Sequence, residues 1–294
     1  MRKFLLISLV SFTALMATAQ DSVKKVVTPM KWDFGGMATV AATQTGSRNW
    51  APGGDRFSVS GNGFVSLWAN AQKGTCYWDN SLQINYGVQS NKAYGVVKND
   101  DRLDFTTNIS KGIFKNQAFR VGFLGNVRTQ AFKGYDFDNG KTLISKFFAP
   151  AYAVTSLGGE FRKNGFNTHL GVASRWVIVS NHPNELGPKY DVDPTNKVRI
   201  EAGMFARVGY TKEIIKNVIY TGRLDAFADF INDHEGNVDM FFTNMFYLKV
   251  NKYLGVVYNL DLQYDDNTRI FGYNKNKAAL QLKSIFGLGI TAKF

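Results

Sequence analysis

The sequence predicts an all-β protein: a transmembrane up-and-down antiparallel β-barrel of about twelve strands, preceded by a cleaved signal peptide. Three observations predict this fold. Apolar and polar residues alternate along short segments from Trp32 onward, the connectors between segments are alternately long and short, and the last segment ends on the aromatic residue Phe294. Alternation alone is also found in soluble β-sandwiches, but their architecture does not require connectors of alternating length.

The N-terminus is typical of an export signal. Arg2 and Lys3 precede a largely apolar run, which is followed by small residues from Ala17 to Ala19, the pattern that signal peptidase requires. The apolar run is shorter than the ~20 residues of a transmembrane helix. We therefore expect cleavage after Ala19, which divides the chain into a signal peptide (1–19), a short periplasmic segment (20–31) and an outer-membrane barrel (32–294).

Period-two patterning places the strands. It is clearest in the last one, where Leu282, Phe286 and Leu288 share one parity and Gln281 and Lys283 share the other. In a barrel, the two parities correspond to lipid and lumen. The predicted strands are 32–46, 56–71, 76–90, 102–114, 117–131, 147–162, 166–180, 198–211, 217–230, 239–250, 253–265 and 278–294.

The connectors support a barrel with short periplasmic turns and long surface loops. The short connectors are 71–75, 115–116, 163–165, 212–216 and 251–252, and the long ones are 47–55, 91–101, 132–146, 181–197, 231–238 and 266–277. Aromatic residues near both sets of strand ends predict two interfacial belts. The short-turn belt would contain Trp68, Tyr77, Trp78, Phe114, Phe161, Tyr210, Tyr220 and Phe294, and the loop belt Trp50, Tyr94, Phe132, Tyr135, Trp176, Tyr190, Phe230 and Tyr264.

Composition excludes two other classes of protein. The formal net charge is +12, but the basic residues are scattered and an exported chain rarely meets nucleic acid, so no nucleic-acid partner is predicted. The single cysteine, Cys76, excludes an internal disulfide framework.

Charges of both signs fall on the predicted lumen face, because an unpaired charge facing lipid would cost about 2–4 kcal/mol near mid-membrane. Two readings stay open: ion pairs that fill and stiffen the lumen, or an arginine-rich pore for anionic solutes. The pore reading expects weaker anion preference when Arg120, Arg128 and Arg207 are neutralised. The predicted lumen residues are Arg120, Arg128, Arg175, Arg199, Glu201, Arg207, Arg223, Asp225, Asp261 and Lys283, with Asp104 on the same face.

Signals for enzymatic or metal chemistry are weak. His169 has inward parity, but no serine pairs with it at a convincing spacing, so esterase or deacylase chemistry is not predicted. The segment 136–140 looks like a calcium loop, but its glycine is misplaced and Phe147 stands where a bidentate Glu is needed. We therefore predict no catalytic residues, no metal and no cofactor.

Several segments resemble a family of uncharacterised outer-membrane β-barrels in Bacteroidota, known as domain of unknown function 3078. They are 32–36 (WDFGG), 49–54 (NWAPGG), 78–82 (WDNSL), 134–136 (GYD) and 148–152 (FAPAY). The resemblance covers most of the chain after residue 31. It implies an outer-membrane location in a Gram-negative cell and a barrel architecture, and it carries no reaction and no catalytic residues.

The second of these segments is a candidate loop motif. Gly53 and Gly54 permit positive φ and a sharp return of the chain, and Trp50, preceded by Asn49, could anchor the loop at the lipid interface. A well-formed hairpin loop and a ligand or partner site at the barrel rim are both open.

Function is predicted only by class. The first expectation is a narrow passive channel for small polar or anionic solutes, and the alternative is a non-conducting structural or partner-binding subunit. The expected partners are outer-membrane lipid and lipopolysaccharide, the barrel-assembly machinery, which reads the C-terminal Phe294 as an insertion signal, and, for the alternative, another envelope protein.

Overall fold

The computed structural model describes residues 29–46, 57–91, 94–137, 141–231, 238–268 and 278–294. The predicted signal peptide, most of the segment 20–31 and the loop motif Asn49, Trp50, Gly53 and Gly54 lie outside the described residues. The described strands are β1 (Lys31–Gly46), β2 (Phe57–Lys73), β3 (Cys76–Asn91), β4 (Gly95–Gly112), β5 (Phe119–Thr129), β6 (Gly134–Asp136), β7 (Thr142–Ser145), β8 (Ala151–Lys163), β9 (Phe166–Ile178), β10 (Val198–Ile215), β11 (Val218–Asp229), β12 (Val238–Lys249), β13 (Leu254–Tyr264) and β14 (Gln281–Lys293).

Twelve of these strands form one closed antiparallel barrel, in the order β1-β14-β13-β12-β11-β10-β9-β8-β5-β4-β3-β2. Every barrel neighbour except β5–β8 and the closing pair β1–β14 is also a neighbour in sequence, so the barrel is the predicted up-and-down type. Two short elements lie between barrel strands: the hairpin β6–β7, and a helical turn made of α1 (Pro183–Leu186) and the 3₁₀ helix η1 (Gly187–Tyr190). Within the described ranges, no helix has the length and apolar character needed to cross a bilayer.

Some predicted boundaries were wrong. The segment 91–101 was expected to be a long loop, but β4 begins at Gly95, and a register shift between Gly87 and Val88 lets β3 and β4 continue as one long hairpin. The strand expected over 147–162 begins instead at Ala151, because Lys146 and Ala149 form a tight turn bridged by two backbone hydrogen bonds. Alternation continues through such turns, which is why it overestimates the strand there.

The barrel closes at a short seam. Strands β1 and β14 share six residue pairs, from Met37 with Lys293 to Ala42 with Leu288, whereas β1 and β2 share sixteen. Thr39 and Thr291 join their hydroxyl groups at 2.9 Å inside the seam. The predicted insertion signal, Phe294, extends the seam by exchanging two backbone hydrogen bonds with Gly36, at 2.8 and 3.1 Å.

The outer surface of the barrel carries an apolar band with an aromatic row at its short-turn end. Five outward rings on neighbouring strands stand 4.8–6.3 Å apart, centroid to centroid: Phe166, Tyr210, Tyr220, Phe246 and Tyr258. Above the row, large aliphatic side chains are exposed outward, among them Leu157, Leu170, Val172, Ile200 and Leu282. On β9, Phe166 and Trp176 lie ten residues apart, about 34 Å along the strand, which at the usual tilt is roughly the 25 Å height of a barrel's apolar band.

Among the belt residues that the structure describes, three lie inside the barrel. Trp68 and Tyr77 face the lumen near the short turns: Trp68 lines a lumen cavity, and the Tyr77 ring lies 3.5 Å from the guanidinium carbon of Arg120. Tyr190 is buried at the loop end of the barrel. The belt residues Trp78, Phe114, Phe161, Tyr210 and Tyr220 do face outward, as their aromatic contacts with other outward rings show.

Candidate functional site in the barrel lumen

The structure places all ten predicted lumen residues on the inner face of the barrel. They are not spread as free charges along a pore. Nine of the ten take part in ion pairs, most of which are buried. Some pairs join neighbouring strands, and others, such as Asp104 with Arg223, join strands that are distant from one another around the barrel.

The central group of charges, which we name the partition, consists of Asp104, Arg128, Arg207, Arg223 and Asp225. Asp104 accepts hydrogen bonds from Arg128 Nε at 3.0 Å and from the guanidinium of Arg223. Asp225 receives Arg207 as a bidentate partner, at 2.6 and 2.9 Å, and Arg128 Nη2 at 3.1 Å. Arg223 Nε also lies 3.4 Å from Asp225. Asp104 is therefore bound by two arginines and Asp225 by three, and both Arg128 and Arg223 join the two carboxylates.

The partition crosses the lumen. Asp104 lies on β4 and Arg223 on β11, and these strands are five positions apart around the barrel in one direction and seven in the other. The Asp104–Arg223 pair therefore spans almost the full diameter. Arg128 on β5 and Arg207 on β10 fill the space between, and Arg207 also reaches Thr106 on the opposite wall at 3.3 Å. These direct contacts place side chains across the middle of the lumen at this height.

A second group of charges, which we name the side group, closes another sector of the same cross-section. Arg102 on β4 donates to Asp261 on β13 at 3.0 Å, and Lys283 on β14 contacts Asp261 at 3.1 Å and Asp100 at 2.6 Å. Asp100 and Asp261 are both buried. The side group thus links β4 to β13 and to β14, the strand that forms the seam with β1.

A third group, the upper group, lies closer to the loops. Arg175 pairs with Glu201 on the neighbouring strand and with Asp239 on β12 at 2.5 Å, and Arg199 contacts Glu201 at 2.5 Å. Aromatic rings support these guanidinium groups: Arg175 lies 4.4 Å from the ring centroid of Phe227, as Arg128 lies 3.6 Å from that of Phe241 in the partition. Stacking and bidentate pairing favour arginine over lysine at such positions.

Pairing neutralises the arginine excess that the sequence shows. In the partition and side group together, five cations meet four carboxylates. Arg120 differs from the rest: its described contacts are a hydrogen bond to the Gln117 carbonyl at 3.1 Å and the Tyr77 ring. The described lumen therefore offers little free positive charge outside the short-turn mouth.

Above the partition, a cavity of about 400 Å³ lies under the surface loops. On the loop side this cavity is lined by the β6–β7 hairpin, through Tyr135 and Ile144, and by Tyr190 of η1. We name α1 and η1 together the cap. Leu186 and Tyr190 of the cap pack onto Val177 and Val179 of the barrel wall in a fully buried apolar cluster. The Tyr190 hydroxyl donates to the Ile144 carbonyl at 2.6 Å, which ties the cap to β7. Burial, with nearby Asp265 adding repulsion, raises the pKa of Tyr190 above its usual value, so this hydroxyl stays a donor.

Below the partition, the lumen widens into a space that we name the chamber. Two adjoining cavities of about 510 and 380 Å³ share Trp68, Gln83, Thr211 and Thr221 as lining residues. Arg207 and Arg223 of the partition line the larger cavity as its ceiling, and Lys293 and Trp68 lie toward the short-turn end.

Beside the chamber, Ser156, His169 and Glu160 contact one another in the order serine–histidine–carboxylate that catalytic triads have. No serine partner for His169 was predicted from the sequence. His169 Nε2 lies 2.8 Å from Ser156 Oγ, and its Nδ1 lies 3.4 Å from Glu160 Oε1. Ser156 is only 1% exposed, and its hydroxyl also lies 3.1 Å from the Val172 carbonyl, a bond that would use its single proton. A nucleophile needs access to substrate and donors for the oxyanion. Ser156 is not among the residues that line the described cavities, so we interpret the three residues as a structural hydrogen-bond network.

Metal binding is not supported by a cluster. Among the residues that the structure describes, no three His, Cys, Asp or Glu side chains converge as metal ligands. The part of the calcium-like segment over 138–140 lies outside the described residues, so the expectation that it binds no metal stays a prediction.

Inward charges that were absent from the predicted set include Asp79, Asp100, Arg102, Glu160, Arg162 and Asp239. For two of them the signal was present. Asp100 and Arg102 continue the inward parity of Asp104 at steps of two residues, but they lay in the predicted connector or at its edge. Extending the alternation beyond the expected strand end would have found both.

Comparison with known families finds one match over part of the chain. A family model described as "Protein of unknown function (DUF3078)" matches residues 42–135, which is less than half of the chain. No curated protein matches the sequence.

Several solved structures are similar to this chain at low sequence identity. An outer-membrane channel from Pseudomonas putida F1 is 11% identical, with a TM-score of 0.39, over 88% of this chain and 96% of that one. The NanC porin has the same identity, TM-score and coverage of this chain, over 100% of its own length. Outer membrane phospholipase A from Escherichia coli is 10% identical, with a TM-score of 0.37, over 88% of this chain and 90% of that one.

Proposed function

We propose that the protein is an integral outer-membrane β-barrel that acts as a narrow passage for small polar solutes and is closed in this conformation by the partition. The observation that carries the proposal is the near-diametric contact of Asp104 with Arg223, flanked by Arg128 and Arg207. The partition is a single layer of side chains with a cavity above it and a cavity below it. This arrangement is expected of a gate rather than of a filled core.

The outer surface supports the membrane location. Exposed aliphatic side chains face outward over a band about as tall as a bilayer's hydrocarbon region, with aromatic rings at its edge. The resemblance to domain of unknown function 3078 supports a Gram-negative, Bacteroidota source. We propose outer-membrane lipid and lipopolysaccharide as the surroundings of this band, and the barrel-assembly machinery as the reader of Phe294.

Conductance of the mature protein in a planar bilayer tests the passage. We expect mostly closed traces with brief, small steps, because an opening requires buried ion pairs to separate. A stable, porin-like open level would contradict the closed partition. Under a salt gradient we expect weak ion preference for the wild type, and a shift toward cations when Arg120, Arg128 and Arg207 are neutralised together, since Asp104 and Asp225 then lose partners.

The second candidate function is a non-conducting structural or partner-binding subunit. The specific observation in its favour is that the cap at the loop end buries its apolar residues against the barrel wall. Silence of both the wild type and variants that break the partition would favour this function. A stoichiometric envelope protein that co-purifies with the barrel would then be its partner.

We further propose that the protein is not an enzyme, because Ser156 is buried beside Leu124 rather than presented to a cavity. Detergent-purified protein is expected to show no hydrolysis of phospholipid or lipid A. Hydrolysis that is present in the wild type and lost in both Ser156→Ala and His169→Gln would overturn this expectation. Thr155→Ala, on the neighbouring outward-parity position of β8, is the matched control.

A further inference from the structure

We propose that the chamber is a binding site for a small neutral polyol, of the size of a monosaccharide or disaccharide. The proposal rests on the passage function, since it names the class of solute that the passage receives from its short-turn side. A neutral polyol takes the place of the anionic solute that we expected from the number of inward arginines alone.

The first step concerns the charges that face the chamber. Arg207 and Arg223 form its ceiling, but both are bound to partition carboxylates. Arg162, on the side wall, is paired with Asp79. A carboxylate or phosphate ligand at the ceiling or side wall would have to compete with these existing partners, so the charges there favour neither anions nor cations. Lys293, at the short-turn end of the chamber, lies over the Tyr247 ring at 5.3 Å.

The second step concerns the hydrogen-bonding groups that are left. Gln83, Asn167, Thr211 and Thr221 line the chamber, and none of these side chains forms a hydrogen bond with another described residue. The Oδ1 atom of Asn108 is buried and has no partner among the described residues, although its Nδ2 donates to Glu160. Amides and hydroxyls can donate and accept at once, as ligand hydroxyl groups also do.

The third step concerns the aromatic wall. Trp68 lines both cavities and is 37% exposed, although its parity directs it into the lumen. The indole lies over Gly35, where a Cβ atom would stand 2.6 Å from Trp68 Cζ2, so only glycine leaves room for it. An apolar platform facing hydrogen-bonding groups suits a sugar ring, which has C–H faces and a hydroxyl rim, and the chamber volume falls in the range of ligand pockets.

Calorimetric titration of the purified mature protein with maltose, glucose and glucuronate tests the proposal. We expect saturable binding of maltose or glucose that weakens about tenfold in Trp68→Ala, through loss of ring contact. Thr221→Val, which removes one hydroxyl at nearly constant volume, should weaken it severalfold. Trp78→Ala is the matched control, because Trp78 is 40% exposed but faces outward, and it should bind as the wild type does.

Three results would overturn the proposal: no saturable binding of either neutral sugar, equal affinity in Trp68→Ala and the wild type, or tighter binding of glucuronate than of glucose. Heat-modifiable migration of each variant confirms a folded barrel before titration. Conductance measured on the same preparations separates the two proposals. Sugar binding by a permanently silent barrel would refute the passage alone, whereas channel steps without sugar binding would refute the polyol site alone.

Discussion

Replacing Asp104 with asparagine is expected to open the lumen and to produce frequent conductance steps where the wild type is mostly closed. Asp104 is buried and binds both Arg128 and Arg223. In the wild type, the negative charge of the Asp104 carboxylate holds the two guanidinium groups close together. Asparagine has no negative charge, so the two guanidinium groups will repel each other. Removing one partner of a buried ion pair costs about 3–5 kcal/mol, so the barrel should also unfold at lower denaturant concentration.

Two further variants control this experiment. Asp104→Glu keeps the carboxylate and should restore most of the closed behaviour. Asp79→Asn removes an inward carboxylate that pairs with Arg162 outside the partition, and it should leave the conductance trace unchanged. If Asp104→Asn stays silent while folded, or if Asp79→Asn opens the lumen equally, the partition is not the gate.

Replacing Leu170 with arginine is expected to destabilise the barrel by about 2–4 kcal/mol in a bilayer, whereas Ile200→Arg should cost about 0–1 kcal/mol. The two aliphatic side chains are matched in exposure, at 58% and 60%. Leu170 lies between Phe166 and Trp176, inside the apolar band, whereas Ile200 is paired with Trp176 at its loop-side edge. The difference between the variants therefore reports depth in the membrane and not the chemistry of the substitution.

Reversible urea unfolding in lipid vesicles measures this difference. Equal destabilisation of the two variants would contradict the assignment of Phe166 and Trp176 to opposite edges of the band. A negligible effect of Leu170→Arg would contradict the lipid-facing assignment of β9 itself. Heat-modifiable migration before unfolding confirms that each variant has inserted.

The barrel could be predicted from sequence because its two main signals are local. Alternation along β14 separates Leu282 and Leu288 from Lys283, and the structure places these residues on opposite faces as expected. The alternation of long and short connectors, which is also a local signal, predicted the up-and-down strand order. On the strands, face assignment was wrong where aromatic identity was weighted above parity: Trp68 shares its parity with the polar residues Ser66 and Asn70, which already indicated the lumen.

The partition could not be predicted, because alternation gives the face of a residue but not its height. Whether Asp104 meets Arg223 depends on the stagger summed over five strand pairs, and each bulge changes that sum. The cap is a second case. Leu186 and Tyr190 lie in a polar connector whose sequence has no hydrophobic periodicity. Only the fold shows that these two side chains pack against Val177 and Val179 and bury them.

The short seam between β1 and β14 has a mechanical consequence. Its six residue pairs are the fewest of any barrel neighbours, against ten for β13–β14 and sixteen for β1–β2. Of the inward ion pairs described above, the side group anchors β14 to β4 through Lys283 and Asp100 but does not reach β1. When the barrel is pulled apart by force, β1 and β14 should therefore separate first. Their separation would expose Thr39 and Thr291, whose hydroxyl groups are hydrogen-bonded to each other in the closed seam.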